Sequence, residues 1–571
     1  MKRFFPLLLG LFVLAGIIYL LTTEWQEVDL LTLVPRQCGA VITWDHPARA
    51  YQRFARTKSW KNIGTMDQER TLAALGLANS DIATISTCGK LWHVLKGKRF
   101  IGDVFRRNIV FALVPARESA QSPSSPVMQP LFLAAVTEGH TAVKLHSLLK
   151  SLKIVTPLPT LRYQGYTIYG VTIQNIGPLY ISCAQGVFLV AVDPAPIRQS
   201  LDLLMTGLKG GSGTIRENLD FMRFRRQVKG TADFFCYLDP ELLAAKIVHQ
   251  ASGHEKIIQT LHTVLQRFAA NGLRRLAWYH RREKKVHQVR LLLHFDQKSL
   301  PPLLKRLAGR PPAVDRELAR TTANLQLYLR SNWLDLPAWW RTRGHERVDR
   351  ELKRAGRVDR TIRRYTGMDM ERFLALFGHR FTVVVKEFKT SGFFPIPRLC
   401  LRIALADKIV VRELLEKFVG QLPHRRERIG GVDVVSILAA GGLMQPTLGL
   451  SDHDLFFIDG HDLVADLLTP SALLVKDPDF IRVAFDNEKP ANLLCFSRMA
   501  PMARSLKEAA RWLGAFIAVR DGIGGERGKM LLDYLALPFF DDLTMFKAGF
   551  VIGRTKSEEL DLTARLLVRT E

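Results

Sequence analysis

The chain has 571 residues, 47% of them hydrophobic and 24% charged, which suits globular domains with real cores and excludes long disorder. Lys and Arg outnumber Asp and Glu by 81 to 54, a formal charge of +27. Six cysteines are too few for a disulfide-stapled scaffold, and a single apolar run near spanning length excludes a polytopic membrane protein.

The chain opens with Lys2 and Arg3, followed by the uncharged run from Phe4 to Leu21. As a helix it would span roughly 27 Å, close to bilayer thickness. No small-residue cleavage pattern follows it, so residues 1–30 are expected to form an uncleaved transmembrane anchor. The positive charges before the run place the N-terminus in the cytoplasm. The expected location is the inner membrane, single-pass, with residues 22–571 on the periplasmic or extracellular side.

The remainder reads as a duplication. GTADFFCYLDP (230–240) aligns with PANLLCFSRMA (490–500), placing Cys236 on Cys495 and Tyr237 on Phe496. YQGYTIYGVTI (163–173) aligns with IGGVDVVSIL (429–438), placing Gly165 on Gly431. Three further blocks keep the same order. The expected units are 36–297 and 320–571, joined by a Pro-rich connector at 298–319. Each unit ends in a long hairpin pattern, and short β-rich runs recur without regular βαβ alternation. That predicts an α+β fold, each unit a mainly antiparallel sheet with helices packed on one face.

The anchor, the opening strand after Pro35, the glycine-centred strand pairs at Gly165 and Gly431, and the ADFFCYL and ANLLCF blocks together resemble an uncharacterised bacterial family. That family consists of membrane-anchored extracytoplasmic proteins with a domain of unknown function. The resemblance implies an envelope protein and carries no activity.

Chemistry is sparse. RDGIGGERG (520–528) lacks the third glycine of a dinucleotide fingerprint, and LKGGSGT (208–214) lacks the Lys-Ser/Thr of a phosphate loop. The best metal candidates are Asp452, His453, Asp454, Asp459, His461 and Asp462, but they bracket one short strand whose ends lie roughly 13 Å apart. His249, His254 and His262 do not stack on one helix face. Neither a metal nor a cofactor is expected. Cys38 and Cys88 are a candidate disulfide pair in an exported chain.

Basic stretches carry more weight, among them QRFARTKSWK (52–61) and the segment from Arg341 to Arg364. In the latter, Val348, Leu352, Ala355, Val358 and Ile362 predict a helix with one apolar stripe meant to pack inward. The other faces carry Arg347, Arg350, Lys353, Arg354, Arg357, Arg360, Arg363 and Arg364, the candidate site for an anionic surface. Anionic lipid or wall polymer is the expected partner, beside the membrane itself; nucleic acid is disfavoured, because no nucleic-acid-binding motif is present. The function expected is that of a non-enzymatic binding or structural protein of the envelope. Two alternatives stay open: a carrier or sensor of a lipid-like ligand, and an envelope enzyme without a recognisable motif.

Overall fold

The computed structural model describes residues 29–569, apart from 66–67, 75–77, 116–127, 138, 208–211, 229–231, 247–254, 346–348, 392–393, 439–444, 522–527 and 531. The chain divides into two compact units. Unit 1 takes residues up to Tyr51, Ala83–Gln227 and Ala245–Ser252; unit 2 takes Gln52–Ile82, Val228–Ala244 and Gly253–Glu571.

Unit 1 contains β1 (Ala40–Trp44), β2 (Ile109–Pro115), β3 (Met128–Ala135), β4 (Val155–Tyr163), β5 (Tyr166–Ile173), β6 (Gly177–Ala184) and β7 (Val187–Ala191). They pair antiparallel in the order β1-β2-β3-β7-β6-β5-β4. Unit 2 contains β8 (Phe234–Leu238), β9 (Leu273–Glu283), β10 (Val286–Phe295), β11 (Leu327–Ser331), β12 (Phe377–Ser391), β13 (Phe394–Leu405) and β14 (His424–Ile429). It continues with β15 (Val432–Ile437), β16 (Thr447–Leu450), β17 (Asp454–Ile458), β18 (Leu493–Ser497), β19 (Phe546–Lys556) and β20 (Glu559–Val568). Its order is β8-β9-β10-β20-β19-β18-β11-β12-β13-β17-β16-β15-β14.

The helices used below are α1 (Lys58–Thr65), α2 (Thr141–Lys150), α3 (Asp349–Thr366), α4 (Met370–Ala375), α5 (Lys408–Val419), α6 (Pro478–Val483), α7 (Met499–Asp521) and α8 (Leu537–Leu543).

One pairing order thus occurs twice: the seven strands of unit 1 match β11-β12-β13-β17-β16-β15-β14, and the β8-β9-β10 hairpin array matches β18-β19-β20. The turns match as well. Gln164-Gly165 joins β4 to β5 and Gly430-Gly431 joins β14 to β15, with φ positive at all four residues and +81° at the second residue of each turn. That is the backbone of a two-residue type I′ hairpin, which matches strand twist and favours glycine. Cys236 lies opposite Trp278 and Cys495 opposite Val551, each in the strand that opens its hairpin array. Tyr237 and Phe496 beside them are fully buried.

Two expectations are corrected. The transmembrane anchor falls on residues outside the described ones, and among the described residues no helix is long and apolar enough to cross a membrane, so the described fold carries no spanning helix. Second, helices cover both faces of the unit 2 sheet. Alternation along β17 sends Phe456 and Ile458 into the core with α6, while Leu455 packs on the other face with Val411 of α5. Residues 298–319, expected as a Pro-rich connector, make contacts of their own. Arg310 pairs with Asp335 at 2.8 Å, Ala313 bridges to Ala491, and Asp315 accepts from the buried Tyr328 hydroxyl at 2.5 Å. The β8-β10 hairpin array that precedes this stretch belongs to unit 2, because β10 pairs along its length with β20.

The unit 2 core centres on Phe480, Phe496 and Phe550, whose rings meet edge-on at 5.3 and 5.7 Å. Burying each phenyl contributes about 1.5–3 kcal/mol. Asp477 fixes α6 over that cluster by accepting from the backbone of Asp479 and Phe480 and from Arg498 at 2.7 Å.

Candidate functional site

The basic segment is a helix, α3, closed by Gly367 at φ +74°, whose N–H donates to Arg363 O at 2.9 Å. Arg347 lies outside the described residues. Arg350, Lys353, Arg354 and Arg357 lie on the earlier turns, and described side chains begin at Val358. Arg360, Arg363 and Arg364 are exposed, and Arg363 approaches Asp359 only at 3.8 Å. Asp359 also accepts from Met370 N at 2.7 Å, which ties α3 to α4. Of the expected apolar stripe, Ile362 is half-buried but Val358 is not, and Val348, Leu352 and Ala355 lie outside the described side chains. Val358 is 46% exposed and Tyr365 61%, so the last turns present apolar and cationic side chains together to solvent.

The acid-and-histidine cluster around β17 does not converge. Asp454 is buried and held by Arg380 at 2.8 Å and Arg402 at 2.6 Å, while Asp452 pairs with Lys408. Among the described residues no group of three or more His, Cys, Asp or Glu could hold a metal ion. At the far end, Ser436 Oγ, His461 Nδ1 and Glu427 follow one another at 3.2 Å and 3.3 Å. This copies the order of a serine hydrolase relay, but Ser436 is 1% exposed and its hydroxyl also meets Thr447 Oγ1 at 3.0 Å. A nucleophile must reach its substrate, so this chain of contacts stabilises the sheet instead. His249 and His254 lie outside the described residues, and His262 meets Ala244 O at 3.2 Å. Cys38 is buried and Cys88 exposed, and the two form no disulfide.

An apolar groove in unit 2 was not anticipated. Phe54 closes the helix Pro47–Phe54, and α1 follows after one turn. The first N–H groups of α1, at Lys58 and Ser59, donate to the carboxylate of Asp542 on α8 at 2.7 and 2.9 Å. Lys58 and Lys507 both approach Asp541, at 3.5 and 2.6 Å. These acids clamp α1 against α8 as an N-cap supplied from the far end of the chain. A π-helical turn, Leu532–Ala536, precedes α8, and it fits because Gly514 of α7 leaves room: a Cβ there would stand 2.2 Å from Leu532. Such turns recur at functional sites.

The clamp leaves an open groove of about 590 Å³ lined by Phe54, Leu535, Phe539, Leu543, Met545 and Phe546. Phe54, Leu535, Phe539 and Met545 are each between 42% and 54% exposed. Contiguous exposed apolar surface of this kind marks an interaction site. Arg53, Arg56, Lys58 and Lys61 of the adjoining segment are exposed, and residues 47–65 contain no acid.

Beside the groove, His280 Nε2 and His287 Nδ1 lie 3.0 Å apart on the β9-β10 hairpin, and His287 meets Phe546 edge-on at 5.9 Å. Burial lowers the His287 pKa to about 4, helped by His280, Arg282 and Arg53.

No family model matches the chain, and no curated protein is similar to it. Solved structures of TP0453 share a distant likeness. Crystal form IV is 12% identical over 48% of this chain and 83% of that chain, with a TM-score of 0.25. Crystal form III is 13% identical over 50% and 90%, with a TM-score of 0.27.

Proposed function

We propose that the protein is a non-enzymatic binding protein of the cell envelope that takes an anionic, lipid-like amphiphile at a membrane surface. The groove between α1 and α8 carries this reading. Its lining is mostly apolar apart from Asp542, whose carboxylate is occupied by the α1 N–H groups. Its volume lies within the 300–1,000 Å³ usual for ligand sites, and the adjoining segment 47–65 carries exposed cations and no acid. An acyl chain would lie on Phe54, Leu535 and Phe539, and its acidic head would meet Arg56, Lys58 or Lys61. Burying a chain contributes about 0.8 kcal/mol per methylene, and basic residues near anionic lipid about 1 kcal/mol each. Helix α3 supplies a second contact with the same surface through Arg360, Arg363 and Arg364, beside exposed Val358 and Tyr365.

Mass spectrometry of the full chain purified without delipidation tests the reading. An acidic lipid should accompany the parent protein and be depleted in Phe539→Ser. Equal amounts of the same lipid on both proteins would reject the groove as its site.

A further inference from the structure

The two copies of one local arrangement differ at two positions, and the difference opens a cavity. In unit 1, α2 lies between β3 and β4 in sequence and packs across β4, β5 and β6. His146 of α2 stacks on Tyr169 of β5 with ring centres 4.8 Å apart, closing the space between helix and strand. In unit 2, α5 lies between β13 and β14, and its Val411 packs with Leu450 of β16. Counted from the paired turn glycines Gly165 and Gly431, Tyr169 corresponds to Val435. Counted from the buried helix residues Leu145 and Val411, His146 corresponds to Arg412. Two stacked rings are thus replaced by an arginine and a smaller aliphatic residue. Both line a cavity of about 330 Å³ between α5 and β14–β16.

The cavity has a definite chemistry. Leu415, Val419, Val435 and Leu448 supply apolar walls, and Arg412 from the helix and Arg426 from β14 both line it. Of the three acids on the lining, two already serve other partners. Asp433 faces Arg428 at 3.8 Å, and Glu427 is held by His461 at 3.3 Å and Arg425 at 3.5 Å. Glu416 remains beside Arg412 and Arg426, and Arg426 Nε also donates to His424 Nε2 at 3.3 Å. Two guanidiniums on the lining of a largely apolar cavity suit a carboxylate or phosphate attached to a ring-sized apolar body.

We infer that the space between α5 and β14–β16 is a second binding site, for a small organic anion with an apolar ring. It is separate in place and in residues from the groove proposed above, and neither depends on the other.

Titration of the full chain with 1-naphthoate, and with neutral 1-naphthylmethanol as control, tests the inference. Naphthoate should bind at least about tenfold tighter than the alcohol, the usual worth of one charge-assisted contact. Arg412→Gln and Arg426→Gln, both at exposed positions, should each weaken it by about tenfold. Val435→Tyr, which restores the unit 1 side chain, should abolish binding, and Phe539→Ser in the groove should leave it unchanged. Equal affinity for acid and alcohol, or undiminished naphthoate binding in both arginine variants, would overturn the inference. So would retention of binding by a folded Val435→Tyr protein, or its loss in Phe539→Ser.

Discussion

Arg290 on β10 holds Asp561 on β20 through two parallel hydrogen bonds, from Nε and Nη2, both 2.9 Å long. The strands they join are the last strands of the two hairpin arrays. Their register is reciprocal: Val286 lies opposite Leu567 and His294 opposite Glu559, with Arg290 opposite Thr563 near the middle. Counted from the two hairpin turns, Val286 and Glu559 hold equivalent positions, as do His294 and Leu567. The two edges therefore meet about a local pseudo-twofold, which completes the ladder of both end strands and leaves neither as an open edge.

Both partners of this ion pair are about one-fifth exposed, so removing one leaves a poorly solvated charge. Asp561→Asn keeps the shape and removes the charge. It should cost about 1.5–3 kcal/mol, read as a lowered unfolding midpoint in urea. A double cycle with Arg290→Met should show that most of the loss is shared between the two residues.

Much of this framework is legible in local sequence. Alternating β-rich runs, the Gly165 and Gly431 turns, and the Cys236 and Cys495 blocks depend on neighbours within a few residues, so pattern reveals them. The groove is not legible in that way. QRFARTKSWK reads as a basic patch, and its meaning changes only when Asp542, 484 residues further on, caps α1 and brings Phe539 beside Phe54. The outward turn of Val358 and Tyr365 escapes for a related reason: periodicity reports that a helix has an apolar stripe, not whether a partner covers it. Residues 298–319 read as a linker because prolines punctuate them. Their hydrogen bonds to Ala491, Tyr328 and Asp335 are visible only in the fold.

The histidine pair predicts an acid-sensitive region. Burial, then His280 and the cations of Arg282 and Arg53, hold His287 neutral with its pKa lowered to about 4, and Asp233 opposes them only in part. The unfolded chain takes up that proton near its ordinary value of about 6.5. The contribution of a neutral His287 to stability is therefore complete above about pH 6.5 and is lost as the pH falls toward 4. Urea midpoints measured across this window should decline toward acid, and His287→Phe, which keeps the packing on Phe546, should flatten the decline.

Helix α3 should act through charge without supporting the fold. Replacing Arg360, Arg363 and Arg364 by Gln should weaken binding of the full chain to phosphatidylglycerol vesicles and reduce its dependence on salt. The melting temperature should change little, since the described pairing of Arg363 is long and exposed. Unchanged vesicle binding at low salt would remove α3 from the proposed surface.

Thiol chemistry should follow burial. Cys236 and Cys495 have pKa values pushed up to about 11 by burial, and Cys400 to about 12. In the folded chain a maleimide should label Cys88 first and reach Cys38, Cys236 and Cys400 only on unfolding. Reductant should not change the labelling of Cys38 or Cys88, because no disulfide joins them.

Direct titration of the full chain with oleate, followed calorimetrically at low and high salt, addresses the groove most closely. Oleate should bind in a saturable manner, Phe539→Ser should weaken it by about tenfold or more, and Lys58→Gln should weaken it chiefly at low salt. Binding that is unchanged in a folded Phe539→Ser protein, or no saturable binding by the parent, would contradict the account.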